Sequence, residues 1–321
     1  MMNINDLNNI LKLELESESS DLEDFIFPES LIKIILSTKI KRTVPIHKRL
    51  FDFNKSINYA YKFIDTINPD YTDIIRDAIK NKKVDFKEIT YDDPISKLVY
   101  YNNEKIINFY VTNTIEDTYT LTHEGFHYIN TDLSNLSSNW NLITEVISIA
   151  AEFLQKNYFE KNNIIIPEYE YNEISNLLEI RNKAYRLDFE INLLKWYISN
   201  THVDENTIHC LLKGKSDEYI NQVCLDIEEM LDSGYMNFTY LQRYVIAGCL
   251  STHLAHRIIS NKKKIRDFIY LNDNCNKMSF VDSLKFLGLE LDDEEYVILS
   301  DSSLKTLKKE YSERIYTLIK K

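Results

Sequence analysis

His123, Glu124 and His127, within the stretch YTLTHEGFHYIN, constrain this chain more than any other residues. On an α-helix two histidines four positions apart lie one turn apart on one face, close enough for both imidazoles to turn to one point, so the spacing fits a helix here. Glu124, one step round, can lie beside that point and polarise a water held there by an ion. Two imidazoles leave a tetrahedral ion short of ligands, and a carboxylate on a second helix is a known way to add the third. Glu145 stands 18 residues after His127, at the start of a second apolar-periodic run. In that run Leu142, Val146, Ile149 and Phe153 form a core stripe, while Glu145, Ser148 and Glu152 form a separate polar one. Either glutamate of the polar stripe can reach an ion in principle, and Glu145 is the natural candidate. The competing reading is a pair of ordinary surface histidines, and the Glu-bearing helix that follows counts against it.

Composition excludes several classes of function. A net charge of −12 lacks the basic excess of a nucleic-acid binder. Apolar runs fall short of membrane-spanning length, and the acidic start MMNINDLNNILKLELESESSDLED has no signal-peptide core, so the cytoplasm is the expected location. Cys210, Cys224, Cys249 and Cys275 have no C-x-x-C spacing and read as free thiols. Five glycines in 321 residues cannot furnish a Gly-rich phosphate cradle, and Gly214-Lys215-Ser216 lacks the first glycine of a P-loop. Few Gly, few Pro and long periodic runs together predict a mainly α fold.

Taken in order, residues 1–55 read as a short helical and acidic segment with a basic patch, KIKRTVPIHKR, and residues 56–321 as one domain. Helices are expected over 56–68 and 71–81. Residues 85–113 are rich in β-branched and aromatic side chains and predict a small antiparallel sheet ending in the strand IINFYVT, just before the H-E-x-x-H helix. Thr114 or Asp117 can cap that helix. Pro167 marks a break before a long helix over 177–198, and two shorter helices follow over 205–231. A Tyr-rich loop then leads into an apolar helix, whose His253 and His256 read as structural, and Leu304 to Leu318 make a last amphipathic helix.

This order of elements resembles the catalytic part of the zinc oligopeptidases of the oligoendopeptidase F and thimet oligopeptidase family. The residues that carry the resemblance are IINFYVTNTIEDTYTLTHEGFH, TEVISIAAEFL, RLDFEINLLKWYIS and the Tyr-rich loop with its helix. In that family the segment after the motif typically reads E-I-A-S-x-x-x-E, which Glu145, Ser148 and Glu152 match. The resemblance implies a zincin-type metallopeptidase domain, with a small antiparallel sheet beside the H-E-x-x-H helix and one Zn²⁺ per chain. By it His123, His127 and Glu145 are the ligands, Glu124 the general base, and Glu152 a residue that orients a ligand. It places Tyr240 and Tyr244 where the family has substrate-binding and oxyanion-stabilising tyrosines, with Tyr235 beside them as a substrate contact. The strand 106–112, with Phe109 on it, is a candidate for pairing with an extended peptide.

Three departures accompany the match. Phe126 stands where the family usually has Gly, with Gly125 one position earlier. Gly234 stands where the family usually has a His, with Tyr235 adjacent. The chain is also shorter than family members, whose longer N-terminal part walls off a deep channel. The implied activity is hydrolysis of peptide bonds in oligopeptides or an extended segment, with no nucleic-acid or membrane partner. Two alternatives stand beside it: a protease dedicated to one precursor or leader peptide, and a non-catalytic helical binding protein on a peptidase scaffold.

Overall fold

A computed structural model describes residues 4–17, 26–38, 40, 50–88, 96–101, 104–130, 138–164 and 168–319. Apart from Ile40, the basic patch at 39–49 lies outside the described residues, as does Pro167. The chain divides in space into two compact units, each built from three separate stretches of sequence. Residues 1–40 group with 176–249 and 289–312; residues 41–175 group with 250–288 and 313–321. The expected boundary near residue 55 therefore does not coincide with a boundary in space.

The unit that contains the motif begins with two helices joined at a single asparagine. Helix α3 (Phe53–Ile67) starts where the Asp52 carboxylate accepts a bond from the Lys55 amide at 3.0 Å. It ends at Asn68, whose side chain caps α4 (Pro69–Lys80), with Pro69 filling the first-turn position that needs no N–H donor. Three short strands follow: β1 (Val84–Glu88), β2 (Lys97–Tyr101) and β3 (Glu104–Val111). They pair in the order β1-β3-β2, with β2–β3 antiparallel and β1–β3 parallel. The β2–β3 hairpin is the expected antiparallel element, and β1 adds a parallel strand on its far side.

Strand β3 leads into α5 (Glu116–Asn130), the helix of the H-E-x-x-H motif. The turn between them is fixed by side chains. The Asp117 carboxylate accepts from the amide and hydroxyl of Thr112 at 2.8 and 2.7 Å, and the Thr114 hydroxyl accepts from the Glu116 amide at 3.2 Å. Thr114 thus caps the helix, while Asp117 ties its first turn back to the strand. Below the helix Leu121 packs into a core with Ala60, Ala78, Val84, Ile107 and Phe109. Helix α6 (Ser138–Lys161) runs along α5. Its expected apolar stripe is present, but burial extends round most of its circumference: Ile147, Ala150, Ala151, Ser148 and Gln155 are all fully buried. Helices α11 (Ile265–Asn274) and α12 (Phe280–Phe286) complete this unit, α11 packing on both α5 and α6 and α12 on α6. His253 is buried in the same unit with Nε2 3.0 Å from the Leu287 carbonyl oxygen, the structural role expected of it.

The other unit holds α1 (Ile4–Ser17), α2 (Ile26–Ser37), most of α7 (Glu168–Asn200), α8 (Glu205–Leu212), α9 (Asp217–Ser233), the first half of α10 (Phe238–Ser260), the β4 (Leu291–Asp293) and β5 (Ile298–Leu299) hairpin, and the start of α13 (Asp301–Ile319). Gly248 lets α10 approach α7 closely: a methyl group there would stand 2.8 Å from Ile180 Cγ2. Among the described residues no helix is long and apolar enough to cross a membrane.

Candidate metal centre

The i, i+4 spacing on α5 brings His123 and His127 side by side, with Nε2 atoms 3.0 Å apart. Helix α6 delivers Glu145 against both: its Oε2 is 3.3 Å from His127 Nε2, and its Oε1 is 3.6 Å from His123 Nε2. One ligand atom from each residue lies within 4.8 Å of the others. Ligands about 2.0–2.1 Å from a tetrahedral zinc stand roughly 3.3 Å from one another. The two imidazole nitrogens at 3.0 Å and His127 Nε2 to Glu145 Oε2 at 3.3 Å are near that value, and the other carboxylate oxygen, Oε1, lies 3.6 Å from His123 Nε2. Two imidazole nitrogens and a carboxylate are also one of the donor sets found in catalytic zinc sites. The residues fit the ion.

Glu152, two turns further along α6, does not join this set. Its Oε1 is 2.6 Å from His123 Nδ1. That contact fixes the hydrogen of a neutral imidazole on Nδ1 and leaves a lone pair on Nε2, the atom turned to Glu145. The electrostatics agree. Burial by itself would lower the pKa of His123, but the Glu152 hydrogen bond and the charges of Glu145, Glu152 and Glu124 outweigh it and push it up to about 10. A pocket with this much negative charge holds a cation, whether a proton or a metal ion.

Glu124 is buried at 6% exposure on the sheet side of the motif. Its Oε2 accepts the backbone N–H of Leu98 in β2 at 2.8 Å. Burial raises its pKa above the ordinary carboxylate range; the two imidazoles and the Leu98 amide pull it back, and Glu145 adds to the rise. A carboxylate so poised accepts and releases a proton nearer neutrality than a surface glutamate does.

Leu98 was invisible to motif reading because it acts through its backbone, which no residue type advertises. Gln155 was missed too: its amide donates to the Thr122 hydroxyl at 2.8 Å, one residue before His123, and helps set the register of α6 on α5. A signal for it existed, because Gln155 extends the polar stripe of Glu145, Ser148 and Glu152 by one further step of three.

Other expected site residues fall elsewhere. Phe109 is fully buried, with its ring 5.6 Å from each of Phe53 and Phe86; it is a core residue and not a substrate contact. Strand β3 is central, with β1 on one side and β2 on the other, so its backbone cannot take an added peptide strand. Tyr235, Tyr240 and Tyr244 belong to the other unit. Tyr235 is 61% exposed. Tyr240 and Tyr244 meet edge to face at 4.9 Å, with the Lys183 ammonium 3.5 Å from the Tyr244 ring centre.

Neither a family model nor a curated protein matches the chain in sequence. Solved structures do match in shape. A protein from Chlamydophila abortus assigned as a peptidase aligns with a TM-score of 0.59 at 14% identity, over 99% of this chain and 56% of its own. PZ peptidase A, solved with an inhibitor, aligns with a TM-score of 0.58 at 15% identity, over 92% of this chain and 57% of its own. The chain shares its fold with two peptidases. It spans little more than half the length of either, and at such identity the likeness is one of fold alone.

Proposed function

We propose that this protein is a zinc-dependent metalloendopeptidase, similar to the oligoendopeptidase F and thimet oligopeptidase family, acting on oligopeptides or extended peptide segments. The observation that carries the reading is the convergence of His123, His127 and Glu145 on one point, with Glu152 on the back of His123. A zinc ion held there would supply a Lewis acid for the scissile carbonyl and a water nucleophile at neutral pH.

The chain's own residues do the rest. Glu152 keeps the hydrogen of His123 on Nδ1. Glu124 engages Leu98 through Oε2, which leaves Oε1 to take a proton from the attacking water and pass it to the leaving amine. The peptide lies along the outer edge of β2. Leu98 pairs with Ile107, whose amide bonds to Lys83 on the opposite side, so the Leu98 N–H points away from β3 and toward that outer edge. A peptide there runs past Glu124. The resemblance adds Tyr240 or Tyr244 as a phenol donor to the oxyanion, which Tyr→Phe replacements at each position test. The decisive experiment pairs elemental analysis with cleavage of a mixed peptide library. Near-stoichiometric zinc and chelator-sensitive cleavage are expected. Protein that takes up no zinc when it is supplied would overturn the proposal.

A further inference from the structure

The unit without the motif contains a buried acid pair that the proposed reaction does not use. Glu190 on α7 and Asp226 on α9 both have no solvent exposure. Each has one oxygen accounted for. Glu190 Oε1 accepts the backbone N–H of Asn237 at 3.2 Å, and Asp226 Oδ1 accepts from Arg186 Nε at 2.7 Å. The other two, Glu190 Oε2 and Asp226 Oδ2, are buried with no hydrogen-bond donor, and the two side chains interact with each other.

The surrounding charges do not balance two carboxylates. Arg186 is the cation in contact, and it is shared with a third acid, Glu229, which also accepts from the Asn237 side chain at 3.3 Å. Tyr219, two turns before Asp226 on α9, feels the charge of Asp226 but donates its hydroxyl to Asp188 at 2.9 Å. One guanidinium thus touches two carboxylates, Asp226 and Glu229, and acts on Glu190 through its charge alone; Glu190 and Asp226 are out of water. Buried polar oxygens without donors are rare, and two acids facing each other satisfy both when a single hydrogen lies between them.

We infer that Glu190 and Asp226 share one proton at neutral pH, and that this proton latches the Gly234–Asn237 loop and the start of α10 onto α7. The loop closes over the pair. It leaves α9 at Gly234, in the left-handed conformation, and arrives at Asn237, whose carbonyl accepts the Leu241 amide in the first turn of α10. Loss of the proton sets two buried charges against each other, with Arg186 the cation in contact among the described residues. Relief comes by admitting water, and the element in the way is Asn237 with its loop. Burial raises both acids, Glu190 well above its ordinary range, and the pair titrates as a unit.

Glu190→Gln tests this, because an amide keeps the shape and supplies the missing hydrogen. Three readouts apply to the full chain. The infrared difference between wild type and Glu190→Gln at pH 7 should contain the carbonyl stretch of one un-ionised carboxylic acid. Amide exchange at residues 235–241, corrected for intrinsic pH dependence, should quicken in wild type as pH rises and stay flat in the variant. The wild type should also lose stability relative to the variant as pH rises above the unfolded carboxylate range, since the raised acid binds its proton only when folded. Absence of the carboxylic acid band, or the same pH dependence of loop exchange in both proteins, would overturn the inference. If the variant does not fold, the wild type's own exchange decides: corrected rates at 235–241 that are independent of pH overturn it.

Discussion

Removing Glu152 should weaken metal binding without abolishing it, and the size of the loss follows from one contact. The carboxylate stands 2.6 Å from His123 Nδ1, with the side chains 12% and 18% exposed. A charged hydrogen bond of this kind is worth about 1.5–3 kcal/mol. At about 1.4 kcal/mol per factor of ten, its loss lowers affinity by roughly 10–150-fold, which overlaps the range of about 10–100-fold typical of residues that orient a metal-bound histidine. Glu152→Gln still offers an oxygen to Nδ1–H but no charge, so its loss should be smaller than that of Glu152→Ala. Glu145→Ala removes one of three ligands and should end tight binding. Competition against a chromogenic zinc chelator, with melting curves to confirm folding, measures all three. If Glu145→Ala binds zinc better than Glu152→Ala, the roles assigned to the two glutamates are reversed. If Glu152→Ala binds as well as wild type, the contact with His123 does not support the metal.

Glu124→Gln should lower peptide turnover by about 10²–10⁴-fold at unchanged zinc content, because the amide keeps the Leu98 contact but cannot take a proton; turnover at the wild-type rate would refute Glu124 as the base. In metal-free protein the His123 proton favours the folded state. That stabilisation is complete below the unfolded value of about 6.5 and is lost as pH rises toward about 10. Melting temperatures of chelator-treated protein should fall over that window and those of zinc-loaded protein much less; parallel profiles would contradict it. Gly248→Ala should cost about 1–3 kcal/mol, since its methyl meets Ile180 Cγ2 at 2.8 Å and Cδ1 at 3.0 Å, and Cγ2 cannot swing away without turning the whole side chain. Gly125→Ala meets only the mobile end of Ile75 at 2.7 Å, and the better helix propensity of Ala offsets about 1 kcal/mol, so denaturant titration should find the smaller loss there.

The arrangement at the motif was legible because helical spacing is itself geometry. His123 and His127 needed only the period of 3.6, and the polar stripe of α6 marked the face that meets them. What spacing could not give was which glutamate of that stripe sits opposite the imidazoles, because both lie on one face. The resemblance favoured Glu145, and the packing of α6 on α5 places it there, with Glu152 on the far nitrogen of His123. Strand existence was legible in the β-branched run, whereas strand order was not. Nothing in IINFYVT says that β1 will pair on its far side, so an apparently available strand was in fact central and Phe109 was core. The division into two units was hidden for a related reason. Helices α7, α10 and α13 each run from one unit into the other without a break in periodicity, and composition carries no trace of the crossing.

Phe126, inside the motif, packs edge to face on Phe268 of α11 at 5.4 Å, and both rings are fully buried. On the ribosome these two residues are made far apart in time. About 135 residues separate the end of α5 from the start of α11, which is roughly 7–27 s of synthesis at about 5–20 residues per second. Until α11 emerges, the Phe126 ring has Tyr71 of α4 against it, edge to face at 6.0 Å, but lacks the Phe268 side of its cover. Zinc that arrived in that interval would meet ligands on a helix still unsupported on one side. A chain stalled before residue 265 should therefore expose part of Phe126 to chaperones or proteases even though every residue of the metal centre has already been made.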